Sequence, residues 1–212
     1  MLNENTFALL QDDNNVNYST PHEKIHVYHN MLGKSFEDLM SIIDELDANS
    51  NQSSPISSWN DWGSSSNDEN NSYIFGQQKR LDARKCIDNP EYTEIYRVLS
   101  EPIIFASTHY SLKHDLEIGM LAPLSVSRYF EGKFMGPHTD SHDSDERPTI
   151  SVVMYLNDDY EGGELYFREQ DVSIKAKHGD IVIFPSRAPF FHESKPVISG
   201  TKYICPGFWN KL

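Results

Sequence analysis

The sequence predicts an α+β fold, mainly β: a jelly roll with N-terminal helices packed on one sheet. Two observations lead there. The first half of the chain holds two stretches with apolar residues at helical spacing, and from about residue 123 the chain turns into short β-rich runs separated by turn residues. Strands of that length at such close spacing form sandwiches or barrels, and helices that precede them cover a sheet face.

"KIHVYHNML" at 24 to 32 reads as a strand. "SFEDLMSIIDELDAN" follows, with Ser35 as N-cap and Asp38 three residues later. Phe36, Leu39, Met40, Ile43 and Leu46 share one face of that helix. Residues 48–72 then shift to Ser, Asn, Asp and Gly, a loop composition that contains Trp59 and Trp62. A loop of that length in a compact domain is functional or disordered; its two tryptophans favour a lid. A second helix is expected near 89–110, where Tyr92, Ile95, Tyr96 and Leu99 repeat and Pro102 either kinks the helix or starts a new one. The β-region comprises "PLSVSRYF", "TISVVMYLN", "GELYF", "VSIKA", "DIVIFPS", "PFFHES" and "TKYICPGFW". The 212 residues suit one domain, with 1–122 as helical support and 123–209 as the β core.

The net charge of −14 argues against nucleic acid as a partner, because "QQKRLDARK" is the only basic cluster. No run of apolar residues is long enough to span a membrane. The N-terminus lacks the pattern of a signal peptide, so a cytoplasmic location is expected. Cys86 and Cys205 are expected to be reduced thiols. The sequence sets no oligomeric state.

"PHTDSHD" at 137 to 143 gathers histidines and acids. His138 and Asp140 are two apart, so in extended chain both side chains point to the same side. His192, in "PFFHESKP", is the best-placed third ligand. Two histidines and one carboxylate leave open positions on an octahedral ion, as in non-haem Fe(II) oxygenases. His142 is a rival ligand, but three ligands on one strand end would lie nearly in a line.

The segments "YFEGKFMGPHTD", "YLNDDYEGGELYF", "GDIVIFPS" and "HESKPVISGTKY", in that order, resemble the prolyl 4-hydroxylases among the Fe(II)- and 2-oxoglutarate-dependent dioxygenases. The resemblance covers about residues 123 to 209. It implies a double-stranded β-helix with Fe(II) on His138, Asp140 and His192, and with 2-oxoglutarate, O2 and ascorbate as further cofactors. It implies that Lys202 pairs with the far carboxylate of 2-oxoglutarate and that Tyr155 and Tyr129 line the same pocket. It makes Arg147 a contact for a peptide or protein substrate, with Trp59 and Trp62 expected on the lid above. Two departures stand out: Met135 stands where the family often has tyrosine, which bears on substrate choice, and Phe208 stands where it tends to have tryptophan, with Trp209 after a Pro206–Gly207 break that leaves the local register open.

Three other readings stay open at this point. One is the same chemistry on a free amino acid or other small molecule. Another is a metal-binding jelly roll without catalysis, and an intact Lys202 and Tyr155 speak against it. A zinc hydrolase would use more histidines than this pattern offers.

Overall fold

An antiparallel hairpin leads the described chain: β1 (Tyr18–His22) returns as β2 (Ile25–Tyr28), with Tyr18 opposite Tyr28. β1 is largely exposed and lacks the apolar alternation that marks a strand, so its sequence gave no sign of it. The computed structural model describes residues 16–49, 60–62, 76–80, 90–141 and 149–211, with the backbone alone at 44–49, 60–62, 76–80 and 90–93.

Helix α1 spans Phe36–Asn49. The Asp38 N–H donates to Ser35 Oγ at 3.1 Å, which is the expected N-cap. Leu39 and Ile43 are fully buried, and Phe36 and Met40 pack against the same core. Part of the stretch expected as a loop at 48–72 is regular: Asn60–Trp62 forms β3, paired with β4 (Gly76–Arg80). Helix α2 runs from Pro90 to Lys113 without interruption, so Pro102 neither ends it nor starts another. Ile95, Leu99, Ile103, Ala106 and Tyr110 form one buried stripe on both sides of the proline. That packing outweighs the hydrogen bond Pro102 cannot donate.

The β core follows as β5 (Ser125–Tyr129), β6 (Met135–His138), β7 (Ile150–Tyr155), β8 (Glu161–Gly162), β9 (Leu165–Phe167), β10 (Val172–Ile174), β11 (Ile181–Pro185), β12 (His192–Ser194), β13 (Val197–Ser199) and β14 (Lys202–Trp209). An eight-stranded sheet has the order β1-β2-β11-β7-β14-β5-β4-β3, and a four-stranded sheet the order β10-β9-β12-β6. β13 and β8 form a small ribbon. This is the expected mainly-β jelly roll, a double-stranded β-helix with helices on one side.

The large sheet separates two cores. Ile150, Val152 and Met154 of β7 face the helices with Leu39, Leu99 and Ile103. Tyr155, with Val182 and Phe184 of β11, faces Leu165 and Phe167 of the small sheet. Burial on both faces explains why "TISVVMYLN" and "DIVIFPS" read as largely apolar runs rather than alternating ones. β14 passes through Pro206 and Gly207 as a single strand, where a break was expected. Its ladder with β5 ends at Ile204–Ser127, so Pro206, with no N–H to donate, sits just past that pairing. Among the described residues no helix is long and apolar enough to cross a membrane.

Candidate active site

The small sheet brings the two histidines together. β12 pairs with β6 so that His192 lies opposite His138, with ring centroids 4.3 Å apart. Asp140 follows β6 at the spacing that keeps its carboxylate on the side of His138. Its Oδ1 is 3.4 Å from His138 Nε2 and its Oδ2 is 3.4 Å from His192 Nε2. One ligand atom from each of the three residues lies within 4.8 Å of the others.

The hydrogen bonds around the triad test whether it suits a metal. His138 Nδ1 lies 2.8 Å from the Gly136 carbonyl, and His192 Nδ1 lies 3.2 Å from the Phe190 carbonyl. Each Nδ1–H donates there, which leaves both Nε2 atoms facing the carboxylate. Two imidazole nitrogens and an anionic oxygen converging on one point form a donor set for a cation, so the residues fit Fe(II). Ser151 Oγ donates to Asp140 Oδ2 at 2.5 Å and lies 2.8 Å from Ser186 Oγ, which holds the carboxylate in place. Burial would raise Asp140, but both histidines and Ser151 hold it below the ordinary carboxylate value. Burial lowers His192. His138 is also pressed down by burial, yet the hydrogen bond and charge of Asp140 outweigh this and raise it.

Lys202 lies at the closed end of the same cavity, 1% exposed. Its Nζ donates to the Gly163 carbonyl at 2.6 Å and to Ser194 Oγ at 2.8 Å, both neutral acceptors. Burial, helped by Lys175, pulls the ammonium down to about 7. The rings of Tyr129 and Tyr155 flank it at 5.5 and 5.3 Å. The Tyr155 hydroxyl is buried with no hydrogen-bond partner. A buried cation held by neutral oxygens, next to an orphaned hydroxyl, is incomplete without an anion that accepts from both. A carboxylate of 2-oxoglutarate fits that need. The cavity has a volume of about 290 Å³, at the small end of ligand pockets. Leu165, Ile204 and Val153 also line it.

The structure thus brings His138, Asp140, His192, Lys202, Tyr129 and Tyr155 into one cavity. Met135 and Phe208, the two departures, also line it, and Phe208 takes the inward position on β14. Trp209 points the other way, where its Nε1 donates to Ser107 Oγ at 2.9 Å under α2. Arg147, Trp59, His142 and Cys86 lie outside the described residues, and Trp62 is described by its backbone alone. Cys205 is a buried thiol, pushed up to about 12 by burial. Sequence reasoning missed Ser151, Ser186 and Ser194. Their one signal is a hydroxyl inside or beside an apolar strand run, since a buried hydroxyl needs a partner.

Residues 124–210 match the 2OG-Fe(II) oxygenase superfamily. A PKHD-type hydroxylase from Thermosynechococcus vestitus is 32% identical over 132 residues, covering 56% of this chain and 57% of the relative. The chain therefore spans little more than half the length of that protein. Among solved structures, a Trichoplax adhaerens prolyl hydroxylase in complex with a hypoxia inducible factor peptide fragment superposes with a TM-score of 0.65 at 17% identity, covering 97% of this chain and 89% of that one. A Pseudomonas putida prolyl-4-hydroxylase gives 0.63 at 17% identity, covering 98% and 99%. At that identity the likeness is one of fold. The matched superfamily implies Fe(II), 2-oxoglutarate and O2. The triad thus lies within the residues that match the 2OG-Fe(II) oxygenase superfamily, on a fold that is prolyl 4-hydroxylase-like.

Proposed function

We propose that this protein is an Fe(II)- and 2-oxoglutarate-dependent hydroxylase acting on prolyl residues of a peptide or protein. The observation that carries the reading is the pairing, in one small cavity, of the His138–Asp140–His192 donor set with the buried Lys202. The prolyl assignment draws on the fold shared with prolyl hydroxylases, one of them in complex with a peptide.

His138, Asp140 and His192 would hold the iron. When bound, the iron supplies the oxidising chemistry by which O2 and 2-oxoglutarate give succinate, carbon dioxide and a hydroxylated substrate. The chain's own residues do the rest. Lys202 and Tyr155 hold the far carboxylate at the closed end, while Ser151 and Ser186 keep Asp140 turned toward the histidines. Apolar Leu165, Ile204 and Val153 exclude water from the cavity, which strengthens its charged contacts. Met135 and Phe208 give the substrate side of the cavity an apolar lining suited to a proline ring. Arg147, Trp59 and Trp62 are proposed to hold the substrate peptide, Tyr129 to flank the co-substrate and ascorbate to restore the iron. Residues 1–122 would serve as the support of the 123–209 core within one domain.

A turnover screen tests this: succinate formation with Fe(II), 2-oxoglutarate and ascorbate, against proline-containing peptides, free amino acids and nucleotides. Succinate coupled to hydroxylated peptide is the expected result. Coupling to a free amino acid alone would replace the prolyl assignment. No succinate from the iron-loaded protein with any substrate would refute catalysis.

A further inference from the structure

Ser194 occupies a position in the co-substrate end that no contact with the metal explains. It lies two residues after His192 on β12, so both side chains face the cavity. It is 7% exposed, and its Oγ accepts from Lys202 Nζ at 2.8 Å. A hydroxyl has one proton and two lone pairs, so accepting from Lys202 leaves the proton to give. Among the described residues no acceptor for that proton is found.

The lysine is pressed into this position. Gly163, at φ +66°, supplies the second acceptor, and a Cβ there would come within 3.1 Å of both Lys202 Cδ and Tyr160 Cε2. The stem of Lys202 passes through the space that a side chain at 163 would fill. Two of its three N–H groups are taken, one by a backbone carbonyl and one by Ser194. Three donors from three strands therefore line the cavity around Lys202: its third N–H on β14, the O–H of Ser194 on β12 and the orphaned O–H of Tyr155 on β7, whose ring lies 5.3 Å from the ammonium. A carboxylate has about four lone-pair sites and can accept from all three.

We propose that Ser194 binds the co-substrate directly, its hydroxyl donating to the far carboxylate of 2-oxoglutarate while its oxygen accepts from Lys202. The inference rests on the 2-oxoglutarate reading above and adds a residue to it.

The experiment is calorimetric titration of Mn(II)-loaded protein with 2-oxoglutarate and with 2-oxobutanoate, which has the same 2-oxo acid head and no far carboxylate. Ser194→Ala should weaken 2-oxoglutarate by about tenfold to a hundredfold, as for a hydrogen bond to a charged group. It should leave 2-oxobutanoate and Mn(II) affinities unchanged, and Ser194→Thr should restore most of the loss. In a Lys202→Met background, Ser194→Ala should still weaken 2-oxoglutarate. Equal loss for both 2-oxo acids, no loss at all, or a loss that vanishes in the Lys202→Met background would each overturn the direct contact. A parent protein that binds Mn(II) but neither 2-oxo acid would instead overturn the reading on which the inference rests.

Discussion

Lys202 should make 2-oxoglutarate binding depend on pH in a way that a surface lysine could not. Without a bound carboxylate, burial, aided by Lys175 and only partly offset by Glu164, brings the ammonium down to about 7. The bound carboxylate favours the charged form and raises it again. Below pH 7 the lysine is already charged and affinity should be flat. Above pH 7 binding must take up one proton, so the dissociation constant should rise about tenfold per pH unit, or about a hundredfold by pH 9. Lys202→Arg stays charged and should be flat across this range, whatever its absolute affinity. Lys202→Met loses the cation and should weaken binding by about 3–5 kcal/mol at pH 7, also without pH dependence. Calorimetry on the Mn(II)-loaded protein, repeated in buffers of different ionisation enthalpy, reads both the affinity and the proton count. A parent dissociation constant that is flat from pH 6.5 to 9, with no proton uptake, would refute the view that burial discharges this lysine.

Three further outcomes are expected. Ser151→Ala should lower metal affinity by about 10- to 100-fold, as for groups that orient a ligand, with 2-oxobutanoate binding at saturating Mn(II) unchanged; equal Mn(II) affinity in both proteins would show that Asp140 needs no such support. His26 is 1% exposed and burial lowers it to about 4, with His114, Lys113 and His109 nearby adding to the effect. Its neutral form fits the fold, so stability should be complete above pH 6.5 and fall by about 3 kcal/mol as pH drops to 4; urea unfolding of His26→Asn across that range should show a smaller fall, and an identical one would clear His26 of the effect. Deleting residues 50–70 should raise the apparent KM for a peptide substrate and spare the slow decarboxylation of 2-oxoglutarate without substrate; unchanged peptide kinetics would make the stretch a passive insert.

The site was legible where local geometry alone decides it. His138 and Asp140 are two apart in extended chain, and that spacing by itself puts both on one face. Lys202, Ile204, Pro206 and Phe208 follow the same rule along β14, although Pro206 and Gly207 disguised it as a break. What local rules do not contain is pairing between distant strands. The placement of His192 opposite His138 depends on the β12–β6 register, and the roles of Ser151, Ser186 and Ser194 depend on which neighbours that packing supplies. β1 escaped notice because an exposed strand needs no apolar pattern; its place in the sheet comes from β2. Pro102 left one helix or two open, because the buried stripe that holds α2 together on both sides of it comes from tertiary packing rather than propensity.

β14 also works as a ruler. Its inward residues step along the cavity floor from Lys202 through Ile204 and Pro206 to Phe208, a span of about 20 Å at the rise of a strand. β5 runs beside it in the opposite direction, from Tyr129 opposite Lys202 toward Ser127 and Ser125. Each graduation on the two strands sits at a set depth, with Lys202 and Tyr129 at one end and Phe208 and Ser125 at the other. A substitution at the shallow marks alters what can enter without moving the deep ones, because a strand does not rotate or shorten when one side chain is exchanged. On the proposed function, such a floor would let new substrates be tried one graduation at a time while the Lys202 end stays in register.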